Sequence, residues 1–254
     1  MMERDWKQQC CELLNIDNKN ENNNAATFNL ISPRSHCPNC NHQISAIENI
    51  PVLSYLFLKG KCKKCGKKIS VRYPLIELIT AIASITVAYY FGVSIQTVFA
   101  LFLTWALIAL SMIDFDHQLL PDDITLPFLW LGLTINLFGV FTNIESSVLG
   151  AIFGYGSLWS VYILFKLVTG KEGMGYGDFK LLALFGAWFG WQVLPLIIIL
   201  SSLVGAVIGV SMILIKSHDK TVPIPFGPYL SIAGWISMLW GSYIMSFYLN
   251  TFIK

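Results

Sequence analysis

The sequence predicts an all-α polytopic membrane protein with about seven transmembrane helices and a small cysteine-containing head in the cytoplasm. Of the 254 residues, 55% are hydrophobic and 13% are charged, and the mean hydropathy is +0.60. These values exclude a soluble enzyme and a disordered chain. The net charge of +2 is small, so it gives no reason to expect a nucleic-acid partner.

Five stretches of the chain contain no Asp, Glu, Lys, Arg or His, and a helix needs ~20 apolar residues to cross the hydrocarbon core. They are 78–113, 124–144, 146–165, 181–215 and 221–253. The second and third stretches each fit one span. The first divides at 91–94, around Gly92, and the fourth divides at 190–192, giving two helices each. The fifth begins with a loop that contains Pro223 and continues as one helix, so seven spans are predicted.

The basic residues predict the orientation of these spans, because Lys and Arg that flank a span are retained in the cytoplasm. With the N-terminus inside and seven crossings, sixteen of the 17 basic residues lie on the cytoplasmic side and only Lys254 lies outside. The chain is therefore divided into a cytoplasmic N-terminal region, 1–73, and a transmembrane domain, 74–254.

Two Cys-x-x-Cys pairs, Cys37 with Cys40 and Cys62 with Cys65, predict a zinc-ribbon-like head at about residues 34–70. Four thiolates complete the tetrahedral shell of a structural zinc ion, and lysines around the second pair would stabilise its negative charge. A redox pair or unligated thiols are the alternatives. Cys10 and Cys11 have no matching pair and are interpreted as ordinary thiols.

The segment 114–123 carries four carboxylates and no Lys or Arg. Asp123 can cap the helix that follows it, and Asp122 can share that role. Asp114 instead follows a span directly, at a helix C-terminus, where the dipole disfavours an anion. An acid placed against the local electrostatics at a membrane edge is a candidate functional residue.

A glycine-rich segment, 173–178, ends in a further acid, Asp178. Its glycines, among them Gly175 and Gly177, allow positive φ angles and a close approach of another chain. The alternative is that Asp178 caps a helix behind a flexible loop. Two carboxylates brought together can share one proton and hold a water, with the ionised acid as general base, which is aspartic protease chemistry.

In combination, these motifs closely resemble the type IV prepilin peptidases, which are bacterial inner-membrane aspartic proteases. The resemblance is carried by the four-cysteine head, the segments 113–116 and 120–122, the Gly-x-Gly-Asp sequence at 175–178, and the Pro-Phe-Gly-Pro sequence at 225–228. It extends from about Met1 to the end of the last span. Members usually carry a further hydrophobic span ahead of the head, and this chain begins about where that span would end.

The resemblance implies that Asp114 and Asp178 form the catalytic dyad, with accessory roles for Gly175, Gly177, Asp116, Asp122 and Asp123. It implies that type IV prepilins and pseudopilins, from type IV pilus and type II secretion systems, are cut at the cytoplasmic face between a basic leader and a hydrophobic helix. It also implies N-methylation of the new N-terminus by S-adenosylmethionine, for which the sequence shows no glycine-rich nucleotide loop.

Two alternatives stay open at this point. A polytopic transporter or membrane scaffold could use the zinc head to dock a cytoplasmic partner, with Asp114 and Asp178 as proton-relay acids, although transporter sites usually lie at the bilayer midplane. A relative of the signal-peptide or preflagellin peptidases would share the Gly-x-Gly-Asp motif, and the four-cysteine head favours the prepilin branch over it.

Three further residues have predicted structural roles. Glu77 is expected at the membrane interface, paired with Arg72 or a nearby lysine. Gly154 and Gly156 lie in the fourth span at a spacing that allows close packing of helices.

Overall fold

The computed structural model describes residues 35–45, 47–171, 173–216 and 225–252. The predictions for Cys10, Cys11, Pro223 and Lys254 fall outside these residues. The chain forms two compact units, divided between Ile79 and Thr80. The division into a cytoplasmic region, 1–73, and a transmembrane domain, 74–254, remains a prediction.

Eight α-helices occur in the described residues. A short helix, α1 (Leu53–Phe57), belongs to the head. The seven longer ones are α2 (Arg72–Phe91), α3 (Ile95–His117), α4 (Asp122–Asn136), α5 (Ile144–Thr169), α6 (Tyr176–Phe189), α7 (Leu194–Lys216) and α8 (Gly227–Phe252). No β-strand occurs in the part of the chain that the structure describes, which contains two isolated β-bridges in the head. The predicted all-helical class is therefore confirmed.

Five helices are long and apolar enough to cross a membrane: α2, α3, α5, α7 and α8. The other two, α4 and α6, have 15 and 14 residues. They would extend about 21–23 Å, compared with a hydrocarbon core of ~30 Å. The protein is thus a multi-pass membrane protein, and a complete crossing by α4 and α6 remains a prediction.

The predicted chain breaks have clear local causes. Gly92 has a φ of 61° and ends α2, and the Ser94 side chain accepts the Thr97 N–H to begin α3. Gly190, with a φ of 86°, ends α6 before α7 begins. Asn143 caps α5 through the Ser146 N–H. Both breaks inside the long apolar stretches are therefore confirmed.

Helix α6 forms the core of the membrane unit, because its side chains are buried on every face. Residues Phe179, Leu181, Leu182, Leu184, Phe185 and Trp188 are all fully buried. The neighbours of α6 include α4, α5 and α8. A helix that is apolar all round is stable only when other helices enclose it. This enclosure fixes the start of α6, where Asp178 lies.

Glycines let α5 and α6 pack with their backbones in contact. A Cβ on Gly150 would lie 2.2 Å from the Gly186 carbonyl oxygen, and a Cβ on Gly154 would lie 2.7 Å from that of Leu182. The packing role predicted for Gly154 is confirmed. The same prediction for Gly156 is wrong, since no atom of another described helix lies within 4 Å of the position that a Cβ on this residue would occupy. Gly150 and Gly186 were not predicted from the sequence, although Gly150 precedes Gly154 by one helical turn.

A buried amide closes the far end of this packing. Asn136 donates to the carbonyl oxygens of Ala187 at 2.8 Å and Trp188 at 2.9 Å, which are at the C-terminus of α6. Its own oxygen accepts the N–H groups of Phe141 and Thr142. Because these groups satisfy each other, the polar side chain is retained inside an apolar core.

We expect Gly150→Ala to destabilise the protein, because the added methyl group would overlap the Gly186 carbonyl. The free energy of unfolding should fall by about 1–3 kcal/mol, typical of overpacking. Gly156→Ala is the matched control, and its open surroundings should leave stability unchanged or slightly higher. Circular dichroism during heating in detergent measures both variants. Equal midpoints for the two would contradict the close α5–α6 contact.

Candidate active site

Asp114 lies in the last turn of α3 and is 5% exposed. Its Oδ2 accepts the backbone N–H of Gly227, the first residue of α8, at 3.0 Å. The sequence indicated an acid placed against the dipole of its own helix. The structure shows that the N-terminus of another helix, which favours an anion, faces this carboxyl group.

Asp178 is the third residue of α6 and is 8% exposed. Its carboxyl group is hydrogen-bonded to the backbone of Gly175, which is the N-cap residue of α6. This is the reach-back contact of a capping box. The predicted alternative, that Asp178 caps a helix, therefore describes a real contact. The same carboxyl group is also buried beside a second acid.

The two acids are close enough to interact electrostatically. Asp178 lies ahead of the apolar stretch of α6, and burial, followed by the charge of Asp114, raises its pKa to about 7, against the opposing effect of the Gly175 hydrogen bond. A carboxyl group with this pKa retains its proton in a substantial fraction of molecules near neutral pH. The structure thus brings together the two acids that the sequence separates by 64 positions.

Leu120 fills the space between the starts of α6 and α8. A Cβ on Gly177 would lie 2.7 Å from the Leu120 Cβ, and a Cβ on Gly227 would lie 3.2 Å from the Leu120 Cδ1. Space therefore requires glycine at both positions. The expectation of positive φ angles in the glycine-rich segment is wrong for Gly175 and Gly177, neither of which has a positive φ. The expected close approach is confirmed for Gly177.

The other predicted acids, Asp116, Asp122 and Asp123, are exposed. Both oxygens of Asp122 lie 2.7 Å from the Lys180 ammonium, so this acid joins the start of α4 to α6. The capping role predicted for Asp123 is wrong, because Pro121 is the N-cap residue and the acids lie in the first turn. There they still favour the helix through its dipole.

Glu77 has a structural contact, but with a backbone partner. Its carboxylate accepts the Val52 N–H at 2.9 Å. Val52 has a φ of 59°, which is uncommon for a β-branched residue. The prediction of a basic partner did not anticipate this contact, which holds a strained turn at the start of α1.

The head contains two turns with the same hydrogen-bond pattern. In the first turn, the Cys37 N–H donates to the His42 carbonyl oxygen, and the Asn41 N–H donates to that of Cys37. In the second turn, the Cys62 N–H donates to the Lys67 carbonyl oxygen, and the Gly66 N–H donates to that of Cys62. Asn41 and Gly66 occupy the equivalent positive-φ positions, at 53° and 68°. Each turn therefore points two sulfurs to one side.

The four sulfurs fit a zinc ion. They all lie within 4.8 Å of one another, and the distance is 3.9 Å both from Cys37 to Cys65 and from Cys40 to Cys62. A tetrahedral shell with Zn–S bonds of about 2.3 Å requires sulfur separations of about 3.8 Å. The geometry therefore accommodates a closed four-sulfur shell after small adjustments of the side chains.

The electrostatics of the thiols also favour a cation. Backbone hydrogen bonds from Asn39 and Cys40 lower the pKa of Cys37 to about 6, whereas the pKa of Cys40 is raised to about 11. At Cys40 a hydrogen bond from the His42 backbone opposes that rise, and desolvation and the neighbouring sulfurs outweigh it. Four sulfurs this close cannot all ionise unless a cation balances their charge.

Known proteins resemble the chain over most of its length. Residues 101–210 match the type IV leader peptidase family, and residues 14–91 match the bacterial peptidase A24 N-terminal domain. A prepilin leader peptidase/N-methyltransferase of Stutzerimonas stutzeri is 58% identical over 98% of this chain and 86% of its own. A protein of the same name in Pseudomonas aeruginosa is 57% identical over 98% of this chain and 85% of its own. Another in Legionella pneumophila is 44% identical over 98% of this chain and 86% of its own. No solved structure matches the chain.

We expect the purified protein to contain about one zinc ion per chain, since four sulfurs complete one tetrahedral shell. Cys40→Ser and Cys65→Ser should lower the zinc content sharply, measured by elemental mass spectrometry. The matched control replaces Cys10 and Cys11 by serine and should retain the metal. Full zinc content in the Cys40→Ser and Cys65→Ser variants would contradict the four-sulfur site.

Proposed function

This chain belongs to the type IV leader peptidase family, and we propose that it is a membrane aspartic endopeptidase that removes the basic leader from type IV prepilins and pseudopilins. The family identified from the sequence motifs is thereby confirmed. The observation that carries the proposed chemistry is the proximity of two buried carboxyl groups, those of Asp114 in the last turn of α3 and Asp178 in the first turn of α6.

In the proposed reaction, the dyad shares one proton and activates a water molecule. The ionised acid removes a proton from the water as its oxygen adds to the scissile carbonyl carbon, while the protonated acid gives its proton to the carbonyl oxygen. The resulting diol then collapses. Its C–N bond breaks, the nitrogen receives a proton from the acid that accepted one, and a diol hydroxyl returns a proton to the other acid.

The two acids end this cycle in their starting state, so one amide and one water become one carboxylic acid and one amine. The raised pKa of Asp178 supports a proton on the pair near neutral pH. A pair of this kind titrates as a unit. The roles of base and acid are therefore assigned to the dyad as a whole.

We infer that a basic leader would be attracted to the exposed acids next to the dyad. Asp116 and Asp123 have exposed side chains close to Asp114 in the sequence, and Asp122, also exposed, forms an ion pair with Lys180. Charge complementarity of this kind increases association rates and decreases with salt. The accessory role proposed for these acids is therefore in binding the substrate.

A structural zinc ion is proposed for the head, held by the sulfurs of Cys37, Cys40, Cys62 and Cys65. Zinc with four protein ligands has no open position for water, so it would stabilise the head without entering the reaction. The transporter and scaffold alternative has no comparable support, because the relatives at 54–58% identity are named prepilin leader peptidase/N-methyltransferase.

N-methylation of the new N-terminus is proposed from the names of the relatives. A hollow of about 460 Å³ lies at the start of α5, lined by Ile144, Glu145, Val148 and Leu149. S-adenosylmethionine would need polar partners for its adenine and amino-acid groups. This hollow offers one carboxylate among apolar side chains, so these residues do not fit the cofactor and no methyl-transfer step is assigned to them.

We infer an orientation in the bacterial inner membrane that puts the head and both acids in the cytoplasm, supported by the distribution of basic residues. Alkaline phosphatase, which is active outside the cytoplasm, should be active when fused after Val93 or Gly139 and inactive after Lys171. The Gly139 fusion also tests whether the short helix α4 crosses. The reverse pattern would contradict the orientation, and an inactive Gly139 fusion would contradict the crossing by α4.

Asp114→Asn and Asp178→Asn should each abolish cleavage of a prepilin that carries its basic leader. Asn keeps the shape of the side chain but does not titrate, so kcat should fall by roughly 10³-fold or more. Glu145→Gln, a matched change at an exposed acid of α5, should cleave at the wild-type rate. Gel-resolved cleavage in detergent at matched folded protein measures all three.

A wild-type rate in either Asp variant would remove that residue from the mechanism. If the wild type itself leaves the prepilin uncut under conditions in which a related peptidase cuts it, the assignment as a prepilin peptidase is wrong.

A further inference from the structure

Gly227 is in closer contact with the dyad than its lack of a functional side chain suggests. It is the first residue of α8, and its N–H donates to Asp114 Oδ2 at 3.0 Å in a buried environment. An added Cβ would lie 2.7 Å from that oxygen and 3.1 Å from the carboxyl carbon. Any larger residue at this position would therefore have to displace the Asp114 carboxyl group.

Space is the reason for glycine at this position. The φ of Gly227 lies outside the left-handed region, so the backbone alone would accept another residue. The obstruction comes from Asp114 on one side and from Leu120 on the other, whose Cδ1 would be 3.2 Å from the added Cβ. Because Leu120 also lies against Gly177, a displacement here would reach the start of α6.

No neighbouring N–H at the start of α8 can replace that of Gly227. Pro228 has none, and the N–H groups of Tyr229 and Leu230 both donate to the Phe226 carbonyl at 3.1 Å. The first turn of a helix has few unpaired donors. In this turn, Gly227 therefore supplies the donor for Asp114.

We propose that Gly227 is a positioning residue of the aspartic dyad, which holds Asp114 Oδ2 through its N–H and, by lacking a side chain, lets Asp114 approach Asp178. This inference rests on the proposed peptidase function. The hydrogen bond occupies one oxygen of Asp114, which leaves the other oxygen for proton transfer with the water. A shift of about 1 Å in a reacting group can lower a rate about 100-fold.

Displacement of Asp114 should also change the pH dependence of cleavage. The described elements around the start of α6 carry several titratable groups. They include Asp114, Asp116 and His117 on α3, Asp122 and Asp123 on α4, Tyr155, Tyr162 and Lys166 on α5, Tyr176 and Lys180 on α6, and Tyr229 on α8. Burial raises the pKa of Asp178, and of these groups the Asp114 carboxylate is the one that raises it further, to about 7. If Asp114 moves away, that pKa falls, and the shared proton is lost at a lower pH. The alkaline limb of the activity profile should then move to lower pH.

The experiment compares Gly227→Ala with Gly156→Ala in the full chain, using a prepilin substrate in detergent. For Gly227→Ala we expect kcat to fall about 100-fold, KM to stay within about twofold, and the alkaline limb to move to lower pH. Gly156→Ala, with open space around its Cβ, should match the wild type. A wild-type kcat and alkaline limb in Gly227→Ala would overturn the proposal.

A second variant separates the hydrogen bond from the steric effect and from misfolding. Incorporation of glycolic acid at position 227 replaces the N–H by an ester oxygen without adding a side chain. Loss of a hydrogen bond to a charged group should lower kcat about tenfold or more, with the melting temperature close to that of the wild type. A wild-type rate in this folded variant would overturn the role of the N–H, even if Gly227→Ala fails to fold.

The outcomes for the dyad and for Gly227 are distinguishable. Cleavage at the wild-type rate by Asp114→Asn and Asp178→Asn would reject the peptidase mechanism itself. Inactive Asp variants together with fully active Gly227 variants would reject only the positioning role.

Discussion

Two carboxyl groups buried at one place lose their hydration and repel each other, and the membrane unit is organised around reducing that cost. Asp114 accepts a hydrogen bond from a backbone N–H at the start of α8, and Asp178 is hydrogen-bonded to the backbone at the start of α6. Helix N-termini carry partial positive charge, so both acids face favourable dipoles. The site therefore depends on bringing two helix starts to the end of a third helix, α3.

This arrangement requires backbones to approach more closely than ordinary side chains allow. Gly150 and Gly186 bring α5 and α6 into contact, while Gly177 and Gly227 leave room for Leu120 between the starts of α6 and α8. At the opposite end of α6, the buried amide of Asn136 satisfies its terminal carbonyl groups. The helix is thus held at both ends, and the position of Asp178 follows from packing along its entire length.

The sequence predicted what depends on local pattern. Helix breaks at Gly92 and Gly190 follow from a backbone freedom that only glycine provides readily, and two Cys-x-x-Cys turns define their own geometry. The proximity of Asp114 and Asp178 could be predicted only from the family resemblance. The two residues are brought together by the fold, and no local spacing in the sequence indicates this. The contact of Asp114 with Gly227 spans 113 positions, so the helix-end argument alone could not find this partner.

The head and the dyad face the same electrostatic problem and differ in the cation that solves it. Four sulfurs within 4.8 Å of one another suit a divalent metal, whose closed shell fixes them in place. Two buried carboxyl groups need only one proton, and a proton can be transferred within a reaction cycle. A closed zinc shell gives the head rigidity but leaves no position for substrate. The chemistry proposed for this protein therefore belongs to the pair of acids. Their proximity keeps one proton on the pair, and that proton can be transferred during the reaction.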